Sequence, residues 1–151
     1  MATPEGWSCT QLGAVLDGID AGWSPQCSSD PAAPDAWGVL KVSAVTAGTY
    51  LDRENKALPS GEIPRHHLEV KPGDLLLARA NGVIDLVGRT VLVRSTRPYL
   101  MLSDKLLRLR PRRDLVEAAF LNALLSSVPV RDVLVSVTGG SHMRNISQDA
   151  L

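Results

Sequence analysis

The sequence predicts a mixed α/β fold, with strands through the middle of the chain and helices near its end. Three observations predict it. Apolar runs of strand length recur between residues 38 and 110, rich in Val and Leu and bounded by Gly, Pro, Asn and Asp. At Asp114 the apolar spacing changes to that of a helix. The chain has 151 residues, 44% hydrophobic and 21% charged, which suits one domain with a substantial core and is too short for two ordinary ones.

Taken in order, Gln11 to Ile19 reads as a short helix, with Leu12, Val15, Leu16 and Ile19 on one face and Thr10 as its cap. Residues 24–36 hold three prolines and no periodicity, and read as loop. Residues 38–45 read as a strand and Gly48–Leu51 as a second, short one. Residues 52–61 are polar and end in Pro59-Ser60-Gly61, a loop; Pro64 to Val70 reads as extended. Leu75 to Arg79 is a strand launched by the Lys71-Pro72-Gly73-Asp74 turn, where Asp74 can hydrogen-bond the backbone. Its continuous apolar run predicts burial on both faces.

Thr90–Arg94 and Lys105–Arg110 are further strands, and Tyr99–Leu102 leads into the second. In Lys105–Arg110, Lys105, Leu107 and Leu109 share one face and Leu106, Arg108 and Arg110 the other. Asp114 as N-cap and Glu117 three residues on predict a capping box for a helix through Leu125. That helix is apolar nearly all round and is expected to pack between layers. A second helix is expected over Pro129–Val137, burying Val130, Val133, Leu134 and Val137 and stopped by Gly139-Gly140. Ser141–Ser147 reads as a polar loop. Trp7, Trp23 and Trp37 are expected at the core or its edge.

The formal net charge is zero, but it is unevenly placed. Residues 1–60 carry seven acids and three bases, and residues 79–113 carry nine bases and two acids. This asymmetry suits a polyanion-facing side, and it equally suits strands flanked by solvated Arg. Arg79 stands out, because it ends an apolar strand just before Asn81-Gly82 and so presents a guanidinium at a loop. Arg112 and Arg113 precede a helix N-terminus, a placement that is mildly unfavourable unless an anion sits nearby.

Catalytic signatures are weak. His66 and His67 are neighbours on an extended segment and point to opposite faces, so no metal site is expected. Gly139-Gly140-Ser141-His142 lacks the nucleophile-elbow spacing, and no phosphate-binding loop, methyltransferase motif or nuclease carboxylate cluster is seen. Neither enzymatic activity nor a cofactor is expected. Cys9 and Cys27 read as free thiols of a reducing cytosol. No apolar run nears the roughly 20 residues of a membrane helix, and Met1-Ala2-Thr3-Pro4-Glu5 does not open a signal peptide, so a cytoplasmic chain is expected.

Several pieces in order carry a resemblance. They are Gly22-Trp23-Ser24-Pro25, then Val39-Leu40-Lys41-Val42-Ser43-Ala44-Val45 with Gly48, then Pro72-Gly73-Asp74-Leu75-Leu76-Leu77-Ala78-Arg79 with Gly82. Val87-Gly88-Arg89, Gly139-Gly140-Ser141 and Asn145-Ile146-Ser147 follow, with Leu151 beyond. Together they resemble one target-recognition domain of a type I restriction–modification DNA-specificity (S) subunit, over about residues 7 to 151. The resemblance implies a curved mixed β-sheet with flanking helices. It implies sequence-specific recognition of double-stranded DNA on behalf of methyltransferase (modification) and nuclease subunits.

A full subunit resembles two such domains joined by long helices. Residues 1–151 are therefore expected to be a single target-recognition domain: a half subunit, a fragment lacking the spacer helix, or a stand-alone protein, with self-association open. Loop placement and side-chain chemistry nominate Arg79, Asn81, Arg89, Lys41 and Lys105 as DNA contacts, with Arg108, Ser141, His142, Arg144 and Asn145. The alternative is a non-catalytic interaction or regulatory module binding a methyltransferase-like partner.

Overall fold

A computed structural model describes residues 3–139 and 144–151. After a 3-10 turn at Leu12–Val15 come β1 (Leu16–Ala21), β2 (Gly38–Leu40), α1 (Ser43–Thr46) and β3 (Asn55–Ala57). Then follow β4 (Leu75–Ala78), β5 (Ala80–Asn81), β6 (Thr90–Leu92), β7 (Leu100–Met101) and β8 (Leu106–Pro111). The helices α2 (Ala118–Leu125) and α3 (Val128–Ser136) precede β9 (Arg144–Asn145).

The mixed α/β class is borne out, with the strands distributed over two sheets and a ribbon. A four-stranded antiparallel sheet has the order β1-β8-β4-β6. A three-stranded sheet has the order β3-β2-β7, with β2 and β7 parallel. β5 and β9 make a short antiparallel ribbon.

The apolar run of β4 explains how these parts stack. Side chains alternate across a strand, so Leu76 and Ala78 enter one core while Leu75 and Leu77 enter another. β8 divides likewise, Leu106 to the first core and Leu107 and Leu109 to the second. The first core is completed by Val39 and Leu40 of β2, Ala44 and Val45 of α1, and Leu100 to Leu102. The second is completed by Leu121 and Leu125 of α2, Leu134 of α3 and Ile146. The four-stranded sheet is thus a middle layer, buried on both faces as the run predicted. Gly88 helps to close the second core: its φ is +78°, and a Cβ there would press on the Leu134 side chain.

Several expectations change. Gln11–Ile19 is a 3-10 turn leading into β1, not a capped helix, because pairing with β8 and the cross-strand partnership of Asp20 with Arg108 outweigh a helical spacing already weakened by Gly13 and Gly18. The 38–45 strand stops at Leu40. Its second half turns into α1, whose Ala44 and Val45 are buried, and a short apolar run fits either state. Gly48–Leu51 is not a strand; β3 lies instead in the polar segment expected to be loop, where Asn55 accepts from the Ala32 amide and donates to the Asp52 carbonyl. His66–Leu68 is a 3-10 turn within the segment expected to be extended.

The helical region is also revised. Asp114 caps nothing; it pairs with Arg112 at 3.3 Å, and α2 starts at Ala118 with no side-chain cap at Glu117. With α2 starting at Ala118, Arg112 and Arg113 lie beyond the first turn, where a helix dipole acts. Only Leu121 and Leu125 of α2 are buried, so it covers one layer rather than lying between two. In α3, Leu134 alone is buried; Val130 is half-buried, and Val133 and Val137 face outward. Trp23 and Trp37 pack at the edge of the first core, whereas Trp7 is 62% exposed and leans on Phe120.

Candidate nucleic-acid interface

Residues separated by most of the chain converge where β4 ends and β8 begins. β4 stops at Ala78, paired with Leu106. The next amide, Arg79, donates to the Lys105 carbonyl at 3.0 Å, and the Arg79 carbonyl accepts from the Ile146 amide at 2.8 Å. Ile146 is fully buried in the second core. The backbone of Arg79 is therefore fixed on both sides, between a strand start and a buried anchor.

The ribbon extends this point outward. Ala80 pairs with Asn145 and Asn81 with Arg144. The Arg79 Nε donates to Asn145 Oδ1 at 3.1 Å across 66 residues of sequence. A guanidinium has five N–H donors, and this bond uses one while orienting the planar fork. Asn81 Oδ1 accepts from the Val83 amide at 2.9 Å, which shapes the turn and leaves its amide nitrogen without a partner among the described residues. Arg79, Asn81 and Asn145 thus form one polar, backbone-braced group.

Lys105 adjoins it and opens onto a cleft of about 410 Å³. Lys41, from the loop after β2, lines the same cleft, as does Lys56 of β3. Val39 and Lys56 are cross-strand partners, so β2 and β3 deliver them together. Lys105 lies 3.6 Å from Asp104, an exposed contact of little energetic weight. Asp104 in turn accepts from Ser24 at 2.7 Å. Gly22 makes this possible, because a Cβ there would run into the Ser103 carbonyl. Burial pushes the Cys27 thiol up, partly offset by the Lys56 ammonium beside it.

Two nominated residues are committed to the fold. Arg108 donates through Nε to Asp20 at 2.8 Å and through Nη1 to Asp74 at 3.1 Å and the Glu69 carbonyl at 3.0 Å. Its Nη2 donates to the His67 carbonyl at 2.7 Å. These carboxylates hold its pKa above the ordinary arginine value against the opposing effect of burial. Arg108 therefore leaves the candidate set, and Asp74 gains a second purpose: it accepts from the Lys71 amide to close the Pro-Gly turn and from Arg108 to tie that turn to β8. Arg89 is drawn inward too, donating to the Asp85 carbonyl at 3.3 Å and the Thr46 carbonyl at 3.0 Å.

Ser141 and His142 lie outside the described residues, and Arg144 enters only through its backbone pairing. Of the nominated residues, Lys41, Arg79, Asn81, Lys105 and Asn145 are brought to one end of the central sheet. Lys56 was missed because its polar strand reads as loop. His66 packs edge-on against Trp37 at 5.0 Å, and among the described residues no group of three metal-ligating side chains occurs. No single helix there is long and apolar enough to cross a membrane.

No protein-family model matches the chain. Over 151 residues it is 40% identical to the type I restriction enzyme EcoEI specificity subunit of Escherichia coli, covering 98% of this chain and 25% of that protein. The chain thus spans a quarter of the length of that relative. Among solved structures, the HsdS subunit from Thermoanaerobacter tengcongensis superposes with a TM-score of 0.58 at 22% identity, over 97% of this chain and 33% of that one. The S subunit of a type I restriction-modification system from M. genitalium gives 0.56 at 8% identity, over 99% and 34%. A chain from a type I R-M system, studied for its complex assembly and conformational transition, gives 0.56 at 20% identity, over 100% and 33%. The structural likenesses show a shared fold. With the sequence match, they bear out the resemblance to one part of a type I specificity subunit.

Proposed function

We propose that this chain, similar along its length to a quarter of a type I restriction enzyme specificity subunit, is a target-recognition domain that reads a duplex DNA sequence. The observation that carries this reading is the braced Arg79–Asn145 pair beside the Lys41, Lys56 and Lys105 cleft. An Arg fork is suited to the O6 and N7 of guanine, and an Asn amide to the N6 and N7 of adenine. The lysines supply the phosphate contacts that set position without reading sequence. In this reading the chain holds no cofactor, catalyses nothing and works in the cytoplasm. It lends its specificity to methyltransferase and nuclease subunits.

Phosphate contacts made by the lysines at this end set the expected salt dependence. Each phosphate neutralised should add about −0.9 to the slope of log K against log salt. A flat response, or no duplex binding at low salt, contradicts the reading.

A second reading is a non-catalytic module that binds a methyltransferase-like partner. The outward apolar side chains of α2 and α3 favour it, with Phe120 46% and Val133 61% exposed. It predicts partner binding without the salt-dependent duplex binding.

A further inference from the structure

We propose that the cleft lined by Lys41, Lys56, Ser103 and Lys105 is a phosphate seat, which takes one phosphodiester of the DNA backbone next to the bases read by Arg79 and Asn145. The inference rests on the DNA-reading function and deepens it.

Three ammonium groups from three separate elements line one cleft. The carboxylates nearby are Asp104, which lines the cleft and is turned to Ser24 and Lys105, Glu54, which accepts from Ser43 at 2.7 Å, and Glu62, whose charge acts on Cys27. Among the lining side chains the balance is positive, three lysines against Asp104. The concavity at the opposite end of the central sheet, about 490 Å³, has a different character: Asp17, Asp74 and Asp114 line it beside Arg110 and Arg113. Its carboxylates repel a polyanion, so charge selects the lysine end.

Ser103 supplies an independent observation. It is 5% exposed, its Oγ is closed to solvent, and that Oγ has no hydrogen-bond partner among the described residues. Buried polar groups are nearly always paired. Ser103 is also a lining residue of the cleft, so a rotation of its side chain would offer this unpaired hydroxyl to an anionic oxygen held there. Lysines suit a phosphate as mobile point charges, and a hydroxyl adds a short neutral donor.

The seat is coupled mechanically to the reader. The carbonyl of Lys105 accepts from the Arg79 amide. A phosphate held by the lysines therefore places the duplex at a fixed offset from the Arg79 fork. Phosphate contacts set register and base contacts specify, and here the two functions are separated by one backbone hydrogen bond.

The test compares the wild-type chain with a variant carrying Lys41→Gln, Lys56→Gln and Lys105→Gln, and with the corresponding Lys→Arg variant. Binding to a preferred duplex and a random duplex is measured across salt, and thermal melts check folding. The Gln variant should lose about tenfold or more in affinity, equally for both duplexes. Its salt slope should flatten by about one unit, and its preference between duplexes should be unchanged. The Arg variant should keep the slope. If the triple Gln variant melts early, the single substitutions Lys41→Gln, Lys56→Gln and Lys105→Gln should each give a share of the same uniform loss. A folded Gln variant with wild-type affinity and slope overturns the seat and leaves the DNA reading standing. Loss of preference with an unchanged slope also overturns it, because the lysines would then be reading bases. A wild-type chain that binds no duplex at any salt defeats the DNA reading itself, and the seat with it.

Discussion

Arg108 donates to Asp20, Asp74 and the carbonyls of His67 and Glu69 from a side chain only 12% exposed. Among the described residues, Arg79 makes one side-chain bond, to Asn145, at the rim. The contrast predicts opposite phenotypes. Arg108→Met should cost about 2–5 kcal/mol of stability in denaturant unfolding, since it leaves Asp74 without its ion-pair partner, Asp20 with Arg110 alone, and the His67 and Glu69 carbonyls without their donor. Arg79→Ala should leave the unfolding midpoint in place and weaken DNA binding by about 1–3 kcal/mol, with relaxed preference at one base position. A folded Arg79→Ala chain with unchanged affinity and preference removes Arg79 from the site. The charge count of residues 79–113 could not separate these two arginines. Four of its nine bases, Lys105, Arg108, Arg110 and Arg112, make ion pairs, and both Arg108 and Arg110 meet Asp20 from the acidic first third. Folding thus sets two of these arginines against one acid of the first third and cancels part of the asymmetry seen along the chain. The Arg79–Asn145 contact spans 66 residues, so local spacing is silent about it.

At the scale of elements, Glu69 shows how a turn is held. It bridges to Met101, and its carboxylate accepts from Lys71 at 2.6 Å and from the Tyr99 amide at 2.9 Å. Tyr99 has φ +66°, a conformation rare for a residue with a side chain. Burial works to raise the Glu69 pKa, but the Lys71 ammonium and the Tyr99 amide outweigh it, so the carboxyl titrates below its ordinary value of 4.5. A lowered folded-state pKa gives stability that is present above 4.5 and lost as pH falls through the folded value. Glu69→Gln should therefore lower stability by about 1 kcal/mol at neutral pH and flatten the acid limb of the stability curve. An acid limb as steep as wild type contradicts this account. β4, β6 and β8 were legible because each combines an apolar run or clean alternation with turn residues at its ends. β1 and β3 were not. β1 mimics a helical stripe, and β3 is the polar edge strand Asn55-Lys56-Ala57. That same misreading hid Lys56 from the site.

Across the whole molecule, the central sheet does two things with one strand order. Its faces separate two cores, and one of its ends gathers Lys41, Arg79, Lys105 and Asn145 from loops far apart in sequence. The order of motifs made the fold and the end of β4 legible, because such order reflects the architecture rather than any one contact. Which basic residues face outward was decided only by packing. On the proposed function, this end of the sheet reads a DNA sequence. The most direct measurement is selection of duplexes bound by the chain from a random pool at near-physiological salt. The bound pool should converge on one short, uninterrupted sequence, with a preference that Arg79→Ala relaxes at a single position. Retained duplexes with no common sequence, or an unchanged motif when Arg79, Asn81 and Asn145 are all replaced, would contradict it.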